Sequence, residues 1–126
     1  MDKRTLKKSI VISIAACLGM VSMAMAGIFV VVDHGTVKIY DAKTGAYKRS
    51  IATPGAIAAS SDGETIAVVM ENGSVKRYDA KGNHRGHVGS GKAKGVQVSS
   101  GLIIITYENG SARKYDARTG NAKGSL

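Results

Sequence analysis

The sequence predicts an all-β fold of antiparallel four-stranded sheets, about three per chain, each made by one copy of an internal repeat. Three observations carry that expectation. A strand–turn–strand motif ending in Tyr-Asp recurs, with Tyr40, Tyr78 and Tyr115 spaced 38 and 37 residues apart. The 16 glycines fall mostly at regular intervals, which marks turns. Two weaker strand-like segments lie between successive motifs, so a full repeat has room for four strands.

The first motif, near residues 28–45, reads Ile28-Phe29-Val30-Val31-Val32-Asp33-His34-Gly35, then Thr36-Val37-Lys38-Ile39-Tyr40-Asp41-Ala42-Lys43-Thr44-Gly45. The second lies near 65–82 and the third near 102–120. In each, the first strand is a short apolar run rich in β-branched residues, the pattern of a strand covered on both faces. Asn72-Gly73 and Asn109-Gly110 predict type I′ turns, with His34-Gly35 in the same place, because both central residues need positive φ. The second strand alternates, with Val37 and Ile39 to one side and Lys38 and Tyr40 to the other. It ends in Asp-Ala-Lys/Arg and a glycine turn, where Asp41, Asp79 and Asp116 can accept backbone amides. Residues 47–52 and 85–88 predict outer strands. Residues 56–60 and 95–99 predict inner ones, rich in small side chains that suit a crowded axis.

Four strands in 37 or 38 residues is near the size of one β-propeller blade. The segment Ser60-Ser61-Asp62-Gly63-Glu64-Thr65-Ile66-Ala67-Val68 resembles the Ser-Pro-Asp-Gly-Lys-x-Leu-Ala-x turn of WD-repeat and YVTN-type propeller repeats. The three Tyr-Asp pairs stand where a WD repeat has Trp-Asp, and Gly86-His87 precedes Tyr115-Asp116 by about that family's spacing. The resemblance covers nearly all of residues 28–126 and implies propeller blades that bind proteins or other ligands. The chain departs from it in having one Gly-His pair, Ser61 in place of Pro, and a shorter third turn at Ser99-Ser100-Gly101. These departures touch the buried hydrogen-bond network of WD repeats, not the blade. A non-repeating β-sandwich is the competing topology.

Residues 1–26 read as a secretory signal: a basic start (Lys3, Arg4, Lys7, Lys8), an uncharged apolar stretch, and Ala24-Met25-Ala26 as cleavage site. Residues 27–126 would then form the repeat domain in the periplasm or outside the cell. Ile14-Ala15-Ala16-Cys17 also resembles a lipobox, so lipid anchoring through Cys17 is the alternative. The uncharged run continues to Val32, long enough to cross a bilayer, but its last part is the first strand of a repeat. No membrane span is expected in the mature chain. That chain would have no cysteine, and so no disulfide.

The whole chain carries 18 basic and 9 acidic residues, and residues 27–126 keep 14 and 8, a net charge of +6. Such a balance suits acidic partners, although the spread of the basic residues suits plain solubility better. Nucleic acid is not expected as a partner of an exported chain.

Several segments carry possible chemistry. Gly86 to Ala93 nearly matches a P-loop, but Ala93 cannot supply the magnesium-binding hydroxyl and no helix follows, so no nucleotide or other cofactor is expected. His84 and His87 lack a Cys or carboxylate in their loop, which argues against a metal, and His34 sits at a hairpin turn. The carboxylates recur with the turns and form no acid–base pair, so no catalytic residue is assigned. Lys38, Lys76 and Arg113 recur at one position beside Tyr40, Tyr78 and Tyr115. They form the candidate partner or ligand surface, with Lys92 and Lys94 as weaker members. Lysine stems packed over tyrosine with heads in water is the competing reading.

Propellers close with about four to eight blades. The first copy lacks an innermost strand, since Gly27 stands almost at the second, so the chain supplies fewer than three full blades. Open end faces and unpaired edges invite association. The expectation is a non-enzymatic, self-assembling platform, a closed ring or a filament, with strand exchange between neighbours as one route. The alternative is a lectin-like module that binds an anionic glycan, or a protein ligand, at repeated sites.

Overall fold

The structure is a computed structural model and describes residues 27–51 and 54–126. The signal-type segment, Cys17 and the junction after Ala26 lie outside those residues, as does Ala52. The strands are β1 (Ile28–Asp33), β2 (Thr36–Asp41), β3 (Tyr47–Ile51), β4 (Ala56–Ser61), β5 (Thr65–Met70) and β6 (Val75–Asp79). They continue with β7 (His84–Val88), β8 (Ala93–Ser99), β9 (Leu102–Tyr107), β10 (Ala112–Asp116) and β11 (Ala122–Ser125). They form three antiparallel sheets, ordered β1-β2-β3, β4-β5-β6-β7 and β8-β9-β10-β11, here blades 1, 2 and 3. The architecture is a row of propeller-type blades, not two facing sheets of a sandwich. Strands β7 and β8 start earlier than expected, at His84 and Ala93, because the pairing extends past a β-bulge on each side, with His84 opposite Tyr78 and Ala93 opposite Tyr107.

The apolar runs bury themselves between blades. One cluster joins Ile28, Val37, Ile39 and Ile51 of blade 1 to Ile66, Val68, Met70 and Tyr78 of blade 2. The other joins Ala67, Val69 and Val75 of blade 2 to Ile103, Ile105, Tyr107 and Tyr115 of blade 3. The first strands were expected to be covered on both faces, and only β5 is, with all six residues buried. Strand β9 alternates between buried and half-buried residues, and β1 leaves Val31 exposed. The cause is position: β5 has a blade on each side, whereas β1 and β9 have one.

The hairpin turns also differ from expectation. His34 and Gly35 take φ of 53° and 82° and make the two-residue turn, with Asp33 opposite Thr36. Asn72 and Asn109 do not have positive φ. Their side chains accept the backbone and hydroxyl of Ser74 and Ser111, which holds each asparagine in an ordinary conformation. Bonds from Gly73 N–H to the Met70 carbonyl and from Met70 N–H to the Ser74 carbonyl, both 2.9 Å, close a three-residue loop ending in a positive-φ glycine. The third copy repeats this at Tyr107 to Ser111. The longer loop shifts the first strand by one residue against the second, relative to blade 1.

Candidate interaction surface

Cross-strand pairing fixes which positions are equivalent. Phe29 faces Tyr40, Ile66 faces Tyr78, and Ile103 faces Tyr115. Val31 faces Lys38, Val68 faces Lys76, and Ile105 faces Arg113. In blades 2 and 3 these pairs lie on the leading face, the one turned to the preceding blade. Val68 and Ile105 are there 0% exposed, and Tyr78 and Tyr115 are 6% exposed. Blade 1 has no preceding blade among the described residues, and Val31 is 42% exposed. Phe29 and Tyr40 are half-buried and stack with ring centres 5.2 Å apart, and the exposed Tyr47 meets Tyr40 edge-on at 5.7 Å. The leading end of the row thus presents aromatic and aliphatic side chains in the pattern that its inner seams bury.

The trailing faces share a second device. Arg49 of β3 donates across the seam to the Lys81 carbonyl at 3.1 Å. Arg77 of β6 donates to the Arg118 carbonyl at 2.8 Å, with longer bonds to Ala117 and Thr119 and an in-blade bond to Arg85. Lys81 and Arg118 are the same residue of the Asp-Ala-Lys/Arg turn. The two arginines stand on opposite sides of one cross-strand pair, Ile39 with Arg49 in blade 1 and Arg77 with Gly86 in blade 2. Each seam therefore has one guanidinium holding the turn of the next blade. Blade 3 pairs Lys114 with Gly124, the blade 2 arrangement with lysine for arginine.

The turns that are held are stiff. Asp41 accepts Lys43 and Thr44 N–H at 2.8 and 3.0 Å, Asp116 accepts Arg118 and Thr119 N–H at 2.7 and 3.0 Å, and Asp79 accepts Asn83 and Lys81 N–H at 2.9 Å. Backbone bonds from Thr44, Asn83 and Thr119, the largest cause in each case, hold these carboxyls below the usual aspartate range. Asp33 is lowered chiefly by the side-chain bond from Lys38, whose Nζ lies 2.7 Å from Asp33 Oδ2.

The positions singled out in the sequence separate into two groups. Lys38, Lys76 and Arg113 share one register position along the row, but Tyr78 and Tyr115 are core residues and offer no exposed ring. Tyr115 Oη and Tyr107 Oη lie 2.6 Å apart in the blade 2–3 seam, and burial first, then that bond, pushes the Tyr115 phenol up to about 12. Tyr40 alone of the three has an accessible ring. Arg113 and Lys92 line one shallow depression with Glu108 and Asn109. Lys94 is exposed and not part of it. His87 is exposed, and its ring meets that of His84 at 5.6 Å, which itself meets Tyr78 edge-on. The sequence reading missed Arg49, Arg77 and Lys114. Its one signal was that Arg77 and Lys114 stand just before the repeated tyrosine, where the first copy has Ile39.

No family model and no curated protein matches the chain. Solved structures do. The chain is similar to the computationally designed Ika8 protein, with a TM-score of 0.64 and 20% identity over 79% of this chain and 33% of that one. It is similar to the designed Ika4 protein, with a TM-score of 0.58 and 19% identity over 75% of this chain and 62% of that one. It is also similar to Sqt1 of Saccharomyces cerevisiae, with a TM-score of 0.58 and 17% identity over 79% of this chain and 31% of that one. The chain spans less than two thirds of the length of each. At these identities the likeness is one of fold, and the fold is that of propeller-type blades.

Proposed function

We propose that this protein is a non-enzymatic scaffold of propeller-type blades, exported from the cell, that works by associating through its end faces with further copies of itself. The observation that carries the reading is the contrast at one register position: Val68 and Ile105 are 0% exposed and Val31 is 42% exposed. The same surface that holds blade to blade inside the chain is open at its leading end, and removing such surface from water favours association. The view that it is not an enzyme rests on its aspartates. Asp41, Asp62, Asp79 and Asp116 are each engaged with backbone amides of their own turns. Export rests on residues 1–26, whose basic start, apolar stretch and Ala-Met-Ala end have the pattern of a secretory signal. Light scattering of the purified chain across a dilution series tests the reading. A mass of several chains that falls on dilution, or a stable small multiple, is the expected result. A monomer at every concentration would overturn it.

A further inference from the structure

We infer that the association is head-to-tail, with the trailing face of blade 3 receiving the leading face of blade 1 of a second copy, and with Lys114 holding that copy's Asp41-Ala42-Lys43-Thr44 turn. The inference rests on the scaffold reading above and says which surfaces meet.

The blade 2–3 seam is a worked example of a trailing face that accepts a leading one. Its trailing side offers Ala67 opposite Arg77, and blade 3 offers Ile104 opposite Lys114 at the same register. Ala67 is fully buried, whereas Ile104 is only half-buried. Both faces have glycine beside the cation on the next strand, Gly86 and Gly124. In blade 2 the guanidinium lies over that glycine, since a Cβ on Gly86 would be in ordinary van der Waals contact with Arg77 Nη2, at 3.7 Å. At Gly124 and at the hairpin glycine Gly110 the same space is open, with nothing within 4 Å.

The object that Arg77 holds is the turn Asp116-Ala117-Arg118-Thr119-Gly120. Blade 1 carries Asp41-Ala42-Lys43-Thr44-Gly45, the same turn with one conservative change, and its aspartate bonds the same two amides. The blade 2 turn, Asp79-Ala80-Lys81-Gly82, lacks the threonine. So the first blade carries the closest copy of the element that blade 2 holds in blade 3. The apolar parts agree as well, with Phe29, Val31 and Tyr40 standing where Ile103, Ile105 and Tyr115 stand. A second copy is therefore the occupant whose chemistry fits the trailing face. A contact of this kind uses two different patches, and it makes a ring if the rotation closes and a filament if it does not.

The test uses the full chain with Cys17→Ala, so that introduced thiols are the only ones. Val31→Cys and Ile104→Cys chains are prepared separately and treated with a short bismaleimide, alone and mixed. Head-to-tail contact predicts cross-linked dimers in the mixture and none in either preparation alone. Cross-linking of Val31→Cys with itself, or of Ile104→Cys with itself, would show like faces meeting and overturn the inference while the scaffold reading stands. Assembly by light scattering with no cross-link in any preparation would also overturn it, and a monomer throughout would overturn both. Lys114→Glu should weaken association about tenfold or more, the scale of a lost charge-assisted bond, and Lys114→Arg should preserve it. Equal association of the two variants, with unchanged circular dichroism, would remove Lys114 from the contact.

Discussion

The same substitution at two equivalent positions should have very different costs. Val68→Ala and Val31→Ala each remove two methyl groups from a residue facing the repeated Lys, at 0% and 42% exposure respectively. Transfer alone is about 0.8 kcal/mol per methylene-sized group, hence about 1.6 kcal/mol at a fully buried site. Val68 lies between two blades, so a residual cavity raises its cost to about 2–2.5 kcal/mol. Val31 is already partly in water and leaves no closed cavity, so its cost in a dissociated chain is about 0.5–1 kcal/mol. Urea unfolding followed by far-ultraviolet circular dichroism at the lowest workable concentration measures both. Equal losses there would refute the assignment of Val31 to an open face. Repeating the pair at high concentration sharpens the argument, because a second copy seated on blade 1 should raise the Val31→Ala cost towards that of Val68→Ala.

Further outcomes follow from the seams and turns. Arg77→Ala should destabilise by about 2 kcal/mol, and Arg77→Lys by less, since lysine keeps the charge but loses the planar fork that reaches several carbonyls; thermal melting of the two variants checks this. Gly73→Ala should be much worse than Gly45→Ala. Both glycines have positive φ, but a Cβ at Gly73 would lie 2.6 Å from the Lys92 nitrogen, whereas nothing lies within 4 Å of Gly45, and chemical denaturation of both reads the difference. The aspartates at 33, 41, 79 and 116 have carboxyls held below their unfolded value, so their contribution is present above about pH 4 and is lost as pH falls through the folded values. A melting temperature that does not drop between pH 5 and about pH 2 would contradict this. Tyr115 has the opposite sign: its contribution is complete below about pH 10, the unfolded phenol value, and is lost as pH rises towards about 12, which alkaline unfolding of Tyr115→Phe against the parent would show.

Much of the fold was legible because the repeat writes it three times. The Tyr-Asp pairs, the apolar runs and the turn aspartates each follow from period-two alternation and local hydrogen bonding, which need no tertiary knowledge. The turns were less legible. Asn72 and His34 occupy one repeat position, but asparagine can satisfy the Ser74 amide through its own side chain, and His34 bonds Asp33 instead, at 2.6 Å. The one-residue shift that results moves Val68, not Val69, opposite Lys76. The surface was least legible. Lys38, Lys76 and Arg113 look alike in sequence, yet burial of their tyrosine neighbours depends on whether a blade lies in front, which no local pattern records. Arg49 and Arg77 perform one task from different strands, and only the cross-strand pairing makes them equivalent.

The most direct measurement is the thiol-labelling rate of Val31→Cys in the Cys17→Ala chain as concentration rises, beside His87→Cys on the exposed β7 of the middle blade as a reference. Rapid labelling is expected at position 31 in dilute protein, with progressive protection as copies associate, while position 87 is labelled at a constant rate. A rate at position 31 that stays high while light scattering reports assembly would contradict it, because association would then be proceeding through some other surface.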